Sequence, residues 1–171
     1  MAVEIVSLDA PDTLLNINNA AVPDVGVLTP AKAEWLAGHV VMPGLAMLDG
    51  KPAGTVVVLS DSCGYDSDYY RWFTGRYQNF LYIDRIIVAD WARGQGVAQA
   101  LYRQIDQLAA EIGAAVVADV YCEPPNTPSL NLHRKMGFEE VGTQYFPAIN
   151  KTAAKFMKYG ERAKVKLEQG S

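Results

Sequence analysis

The chain has 171 residues, half of them apolar and a fifth charged, with a formal net charge of −4. That length fits one domain with a substantial core, and the composition is ordinary for a globular protein. The acidic balance argues against a nucleic-acid binder, which presents a basic face, and no stretch approaches the ~20 apolar residues of a membrane-spanning helix.

Glu4 and Asp9 interrupt the N-terminus before an apolar run can build, so no secretory signal is expected. Residues 3–8 alternate weakly and predict a first strand. Residues 11–20 and 30–39 predict two short helices, with Pro11 and Pro30 in first-turn positions that tolerate proline. Residues 41–48 and 53–60 predict strands around Asp49-Gly50, a hairpin signal. A polar, tyrosine-rich insertion follows over 60–78, with a helix expected at 69–77. Residues 80–88 predict the central strand and 94–112 the longest helix. Its Val97, Leu101, Ile105, Leu108 and Ile112 recur at helical spacing, and Gly113 suits the C-terminal cap.

The unbroken apolar run 114–121 predicts a buried strand. A helix is expected over 128–136, capped by Thr127 and stopped by Gly137; 138–146 and 152–159 predict two closing strands. The fold class is therefore α/β of the α+β kind. One domain over residues 1–160 holds a mixed, mostly antiparallel sheet of roughly six to seven strands with about four flanking helices. Residues 161–171 read as a polar tail. Basic residues gather after Lys151, among them Lys155, Lys158 and Arg162, and read as a solvated last strand and tail.

Cys63 and Cys122 make no disulfide framework, so reduced thiols in the cytoplasm are the simplest reading. Cys122 follows a buried-looking strand and reads as packing rather than as a nucleophile. His39 and His133 show no ligand spacing, and no metal is expected. Nothing in the sequence decides between a monomer and a homodimer.

The richest stretch is Phe80 to Ala98, FLYIDRIIVADWARGQGVA. An extended run delivers Arg93-Gly94-Gln95-Gly96 to the start of a helix. Glycines let the backbone curl, and the first helical N–H groups with the macrodipole point at one spot, which makes an anion site. A phosphate-bearing ligand is expected there, held by amides from Gly94 to Gln99. The loop is not a P-loop, because no Gly-Lys-Ser/Thr follows the glycines. It half-matches the dinucleotide fingerprint through Gly94 and Gly96, but Gln99 stands where a third small residue belongs, while Asp119 ends the next strand as a ribose-binding acid would.

A third pattern fits better. Arg93-x-x-Gly96-x-Ala98 resembles the acetyl-CoA signature of the GNAT superfamily of acyltransferases. Asn126-x-x-Ser129-x-x-Leu132-His133-x-Lys135-x-Gly137-Phe138 resembles a second stretch of that superfamily, and Phe156-Met157-Lys158 a third. The order of elements agrees over nearly the whole chain. The insertion and the start of the central strand (Tyr65-Asp66-Ser67, Tyr70 to Phe73, Phe80 to Arg85) resemble a bacterial subgroup of predicted acetyltransferases, which names no substrate.

The resemblance implies acetyl-CoA as co-substrate and a small amine or an amino terminus as acceptor; the charge, apolar runs and histidine spacing above lead to no expectation of metal, membrane or nucleic acid as partner. It implies that Ile86, Ile87 and Val88 carry the amide-rich arm along a strand edge and that Arg93, Gly94, Gln95, Gly96, Val97, Ala98 and Gln99 hold the pyrophosphate. It implies Asn126 and Ser129 as further cofactor contacts, with a turn-forming asparagine before Thr127-Pro128 as the competing reading of Asn126. An amine attacks only when neutral, and alkyl ammonium groups titrate near ~10, so a base is needed. Asp84 shares a strand face with Ile86 and Val88 and stands where some members of the superfamily carry a glutamate base. A structural pair with Arg85 is the competing reading.

His133 replaces the usual tyrosine of the superfamily and is the candidate proton donor to the departing thiolate, with Tyr82, Tyr121 and Tyr145 as substitutes. Tyr65, Tyr69, Trp72 and Tyr82 are candidate acceptor-lining residues, with Asp66 and Asp68 attracting a cation. The competing reading is that these aromatics pack the insertion onto the sheet. A non-catalytic acyl-CoA sensor and a nicotinamide-dependent dehydrogenase are the alternative functions.

Overall fold

The computed structural model describes residues 2–159; the expected tail at 161–171 lies outside them. The described residues hold seven strands: β1 Glu4–Val6, β2 Leu45–Leu48, β3 Lys51–Ser60, β4 Phe80–Val88, β5 Ala115–Glu123, β6 Glu139–Phe146 and β7 Lys151–Lys158. Five helices accompany them: α1 Pro11–Ala20, α2 Pro30–His39, α3 Asp68–Thr74, α4 Val97–Ile112 and α5 Thr127–Lys135. The strands form one sheet in the order β1-β2-β3-β4-β5-β7-β6. The pairs β1–β2, β2–β3, β5–β7 and β6–β7 run antiparallel.

Local chemistry explains most of the boundaries. The β2–β3 hairpin turns on Asp49 (φ 53) and Gly50 (φ 72), the paired positive φ of the tight turn that the dipeptide predicts. Such a turn needs only two residues, so β3 begins at Lys51, ahead of the expected start at 53. Pro43 interrupts the stretch expected as 41–48, and the regular strand is confined to Leu45–Leu48. Thr29 caps α2, its hydroxyl accepting from the Lys32 amide at 3.2 Å, with Pro30 in the first turn. Asn126, not Thr127, caps α5: its side chain accepts from the Ser129 amide at 3.3 Å.

The contacts divide the chain into two compact units. The first comprises residues 2–63 and Ile83–Leu108. Its core is aliphatic, with Leu14 and Leu36 from the first helices, Leu48, Val57 and Leu59 from the hairpin, and Leu101 and Ile105 from α4, all essentially inaccessible. The α4 stripe ends early, because Ile112 is exposed. The second unit comprises Gly64–Tyr82 and, to the end of the described residues, 109–159. Its core mixes aromatics with aliphatics: Phe73, Val117, Phe156 and Met157. It also holds Lys155, which is fully buried. The basic cluster after Lys151 is therefore not uniformly solvated. Lys155 shares a strand face with Ala153 and Met157, and that face is internal.

One close approach fixes the first unit. A Cβ on Gly54 of β3 would lie 2.7 Å from the Ile87 carbonyl oxygen and 2.9 Å from Val97 Cγ1. Next to it the Ala89 amide donates to the Ala53 carbonyl at 2.8 Å. The end of β4 and the start of α4 thus press on backbone with no room for a methyl group. Gly54→Ala should cost about 1–3 kcal/mol in urea unfolding with the slope unchanged; a midpoint equal to wild type would show that this packing gives way freely.

Candidate active site

β4 ends at Val88 and leads through a single 3-10 turn, Asp90–Ala92, into Arg93-Gly94-Gln95-Gly96 and then α4. Gly94 (φ 75) and Gly96 (φ 82) both take the left-handed backbone that suits glycine, which is why α4 starts at Val97 and not at 94. Its first turn closes where the Ala100 amide donates to the Gly96 carbonyl at 3.0 Å. The N–H groups of the residues just before Ala100 have no partner within the helix and point outward along its axis, at the positive end of the helix dipole. The loop is braced from both sides. The Gln95 side chain donates to the Trp91 carbonyl at 3.0 Å, and Arg93 pairs with Asp90 at 3.2 Å, with both charges exposed. Ile86 and Val88 are half-buried, whereas Ile87 turns into the core.

Asp84 lies on the same strand with its side chain almost wholly buried, and Arg85 Nε holds its Oδ2 at 2.6 Å. The competing reading of the sequence, an Asp84–Arg85 pair, is thus present in the structure. Arg85 is steadied in turn: its Nη1 donates to Oδ1 of the buried Asn18 at 2.9 Å, and the Asn18 amide nitrogen donates to the Gly26 carbonyl at 2.9 Å. Asn18 carried no signal in the sequence, being one polar residue in an asparagine-rich helix; only its burial marks it.

In the second unit, Asn126 and Ser129 sit at the N-terminal end of α5, where the Asn126 side chain is committed to its cap. His133, one turn further on, is buried. Its Nδ1 donates to the Ser129 carbonyl at 2.7 Å, and its ring stacks on Phe156 and meets Phe138 edge-on. Burial lowers its pKa below the usual value, and the Ser129 carbonyl opposes this only in part. A neutral imidazole with its proton on Nδ1 has no proton on Nε2 to give, so the expected proton donor is poorly set up for that task.

The insertion is tightly packed. Tyr65 and Tyr82 are buried, their rings facing Tyr70, so these two candidates line the interior. Trp72 is half-buried against Gly142, where a Cβ would come within 2.6 Å of its ring, and the Arg76 guanidinium lies over the ring, 4.1 Å from its centroid. Tyr69 is half-buried: its ring stacks on Phe146 at 4.1 Å, and its hydroxyl meets that of Tyr121 at 2.6 Å. Burial, before the neighbouring phenol, pushes the Tyr69 pKa far up, so this hydroxyl stays protonated. Asp66 and Asp68 are both taken by the Arg71 guanidinium, at 2.7 and 2.6 Å.

Lys155 forms an ion pair with Asp119, whose other oxygen accepts from the Tyr82 hydroxyl at 3.3 Å. Asp119 sits inside β5, not at its end as a ribose-binding acid would. Burial lowers the Lys155 pKa, and the Asp119 carboxylate pulls it back. Cys122 is bonded to the Thr152 carbonyl at 3.5 Å and burial raises its pKa, the reverse of an activated thiol. Among the described residues, no three His, Cys, Asp or Glu side chains gather as a metal site would require, and no helix is long and apolar enough to cross a membrane.

Residues 12–138 match the model of the acetyltransferase (GNAT) family. No curated protein is similar at a significant level. Among solved structures, the fold is similar to that of Ard1 from Thermoplasma volcanium, with a TM-score of 0.68 and 16% identity over 92% of this chain and 96% of that one. It is similar to Arabidopsis thaliana NAA60 in complex with acetyl-CoA, with a TM-score of 0.68 and 15% identity over 93% and 99%. It is also similar to the ribosomal-protein-S18-alanine N-acetyltransferase from Escherichia coli, with a TM-score of 0.62 and 14% identity over 94% and 96%. At these identities the likeness is one of fold.

Because the folded state lowers the His133 pKa, the native chain takes up this proton at a lower pH than the unfolded chain, which does so near ~6.5. The contribution of neutral His133 to stability is complete above that value and is lost as pH falls below it. Melting curves between pH 7.5 and 5 should show a steeper decline for wild type than for His133→Gln, and identical slopes would disprove the buried neutral state.

Proposed function

Because the chain belongs to the acetyltransferase (GNAT) family, we propose that it is an acetyl-CoA-dependent N-acetyltransferase, which moves an acetyl group directly onto an amine of a small molecule or of an amino terminus. The observation that carries the reading is the passage from β4 through two glycines of positive φ to the amides that open α4. Those amides, from Gly94 to Gln99, are the ones we assign to the pyrophosphate. Arg93 adds charge when it leaves Asp90. The main chain of Ile86 to Val88 is assigned to the arm, and a backbone N–H there to the thioester carbonyl oxygen, where negative charge develops. Asn126 and Ser129 remain assigned to the cofactor by resemblance.

Asp84 is the base in this reading. With Oδ2 held by Arg85, the amine proton goes to Oδ1, directly or through a water. The amine nitrogen then bonds to the acetyl carbon, the carbon–sulfur bond breaks, and the electron pair leaves on the CoA sulfur. For the acceptor we retain Tyr69 and Trp72 as contacts, since both keep a part-exposed surface. The lack of a disulfide framework fits work in the cytoplasm.

Acetyl-CoA offered with short peptides bearing a free amino terminus and with small primary amines should release CoA thiol. Binding of acetyl-CoA without thiol release from any of them would instead favour the sensor reading. Gly96→Glu puts bulk and negative charge where the pyrophosphate is assigned. It should weaken CoA binding by roughly tenfold or more, about 1.4 kcal/mol or more; an unchanged affinity would refute the loop assignment. Asp84→Asn should lower turnover by roughly a hundredfold, most severely at low pH, where neutral amine is scarce. A variant with the pH profile of wild type removes Asp84 as base.

A further inference from the structure

Lys155 is a fully buried charge among the described residues. Its side chain has no exposure, and its ammonium lies within 5.2 to 5.8 Å of four ring centroids: Phe73, Tyr69, Trp72 and Phe146. Desolvating an ion pair costs free energy that its attraction often fails to return, and apolar replacements of similar volume are commonly as stable or more so. What an apolar side chain cannot do is donate, and Lys155 Nζ donates to the Tyr69 carbonyl at 3.3 Å. That bond ties β7 to helix α3, while Asp119 of β5 holds the ammonium and is itself bonded by the Tyr82 hydroxyl.

Tyr69 is therefore fixed at three points: carbonyl on Lys155, ring on Phe146, hydroxyl on Tyr121. Tyr121 is steadied from its face by Lys151, 4.7 Å from the ring centroid. Two phenols in contact present one donor hydrogen and free lone pairs in a set direction. Both residues are half-buried, and neither ring can turn without losing a packed neighbour.

We propose that Lys155 is a positioning residue for the acceptor. Held by Asp119 beneath the aromatic cage, it anchors the Tyr69 carbonyl and so orients the Tyr69–Tyr121 hydroxyl pair, which selects amines that carry a hydrogen-bonding group beside the reacting nitrogen. This rests on the proposed transferase function and deepens it. The pair recognises a neutral polar neighbour of the amine, such as the carbonyl that follows an amino terminus, in preference to a plain alkyl chain.

The test uses the full chain and the best acceptor found among the peptides and amines. Lys155→Met removes the ammonium and keeps an unbranched stem; Lys155→Met with Asp119→Leu removes the whole ion pair. The single variant should melt lower and the double variant should recover most of that loss. Both should show an acceptor KM raised about tenfold, with the KM for acetyl-CoA within about twofold of wild type. Tyr69→Phe, which leaves the buried pair intact, should reproduce the rise in acceptor KM at a wild-type melting temperature. Recovery of acceptor KM together with melting temperature in the double variant would overturn the proposal and make the pair a stabilising element only. So would an unchanged acceptor KM in Tyr69→Phe. Failure of wild type to acetylate any amine while still binding CoA would instead remove the transferase reading, and this inference with it.

Discussion

The first unit turns on a backbone contact that leaves no space for a side chain. Gly54 presses on the Ile87 carbonyl and on Val97, and the Ala53–Ala89 hydrogen bond locks the same place. The end of β4, the turn and the first residue of α4 are thus held from one side by β3. An anion site made of main-chain amides is only as good as the fixity of that main chain, because amides that must reorganise lose the advantage of being aimed beforehand. Gly94 and Gly96 supply the curl; Gly54 keeps it in place.

The two units handle buried charge differently. In the first, Asp84 and Arg85 are sequence neighbours, and the buried amide of Asn18 holds the guanidinium. Because consecutive strand residues point to opposite faces, this pairing needs the arginine to fold back, and Asn18 catches it as it does so. In the second, Asp119 and Lys155 come from strands paired in register, directly opposite each other on β5 and β7. There the cage is aromatic, so the ammonium exchanges water for ring faces and one carbonyl. The first arrangement fixes the direction of a carboxylate; the second fixes a helix.

Much of this was legible in the residues. The glycine turn, the Asp-Gly hairpin and the proline-led helices follow from local rules on which conformations each residue admits, and the structure agrees to within a few residues. Charge clustering puts Lys155 in solvent, but strand alternation places it with Ala153 and Met157 on one buried face, and the burial of that face prevails. Asp119 follows the same logic: a lone acid looks like a strand end until its cross-strand partner, Lys155, is known. The burial of Tyr65 and Tyr82 had no local signature, since aromatic residues serve cores and pockets alike. Asn18 was invisible, because its partner, Arg85, lies far along the chain.

The two protonation demands of amide formation from a thioester are unequal. An ammonium, near ~10 on an alkyl chain and near ~8 at an amino terminus, cannot attack at all until it loses a proton, whereas a thiol near ~8.5 is a tolerable leaving group as its anion. The base is then the group whose orientation matters, and the acid can be replaced by solvent after the sulfur departs. The chain's own residues are distributed in keeping with that inequality. Asp84 is held by a chain of two further side chains, Arg85 and Asn18. His133, at the position where a proton donor was expected, is packed between Phe138 and Phe156 with its Nδ1 hydrogen spent on a carbonyl. Exchanging a tyrosine for a histidine at such a position costs little if the proton it would have supplied was never required for carbon–sulfur cleavage. Its packing on Phe156 instead holds the last turn of α5 against β7.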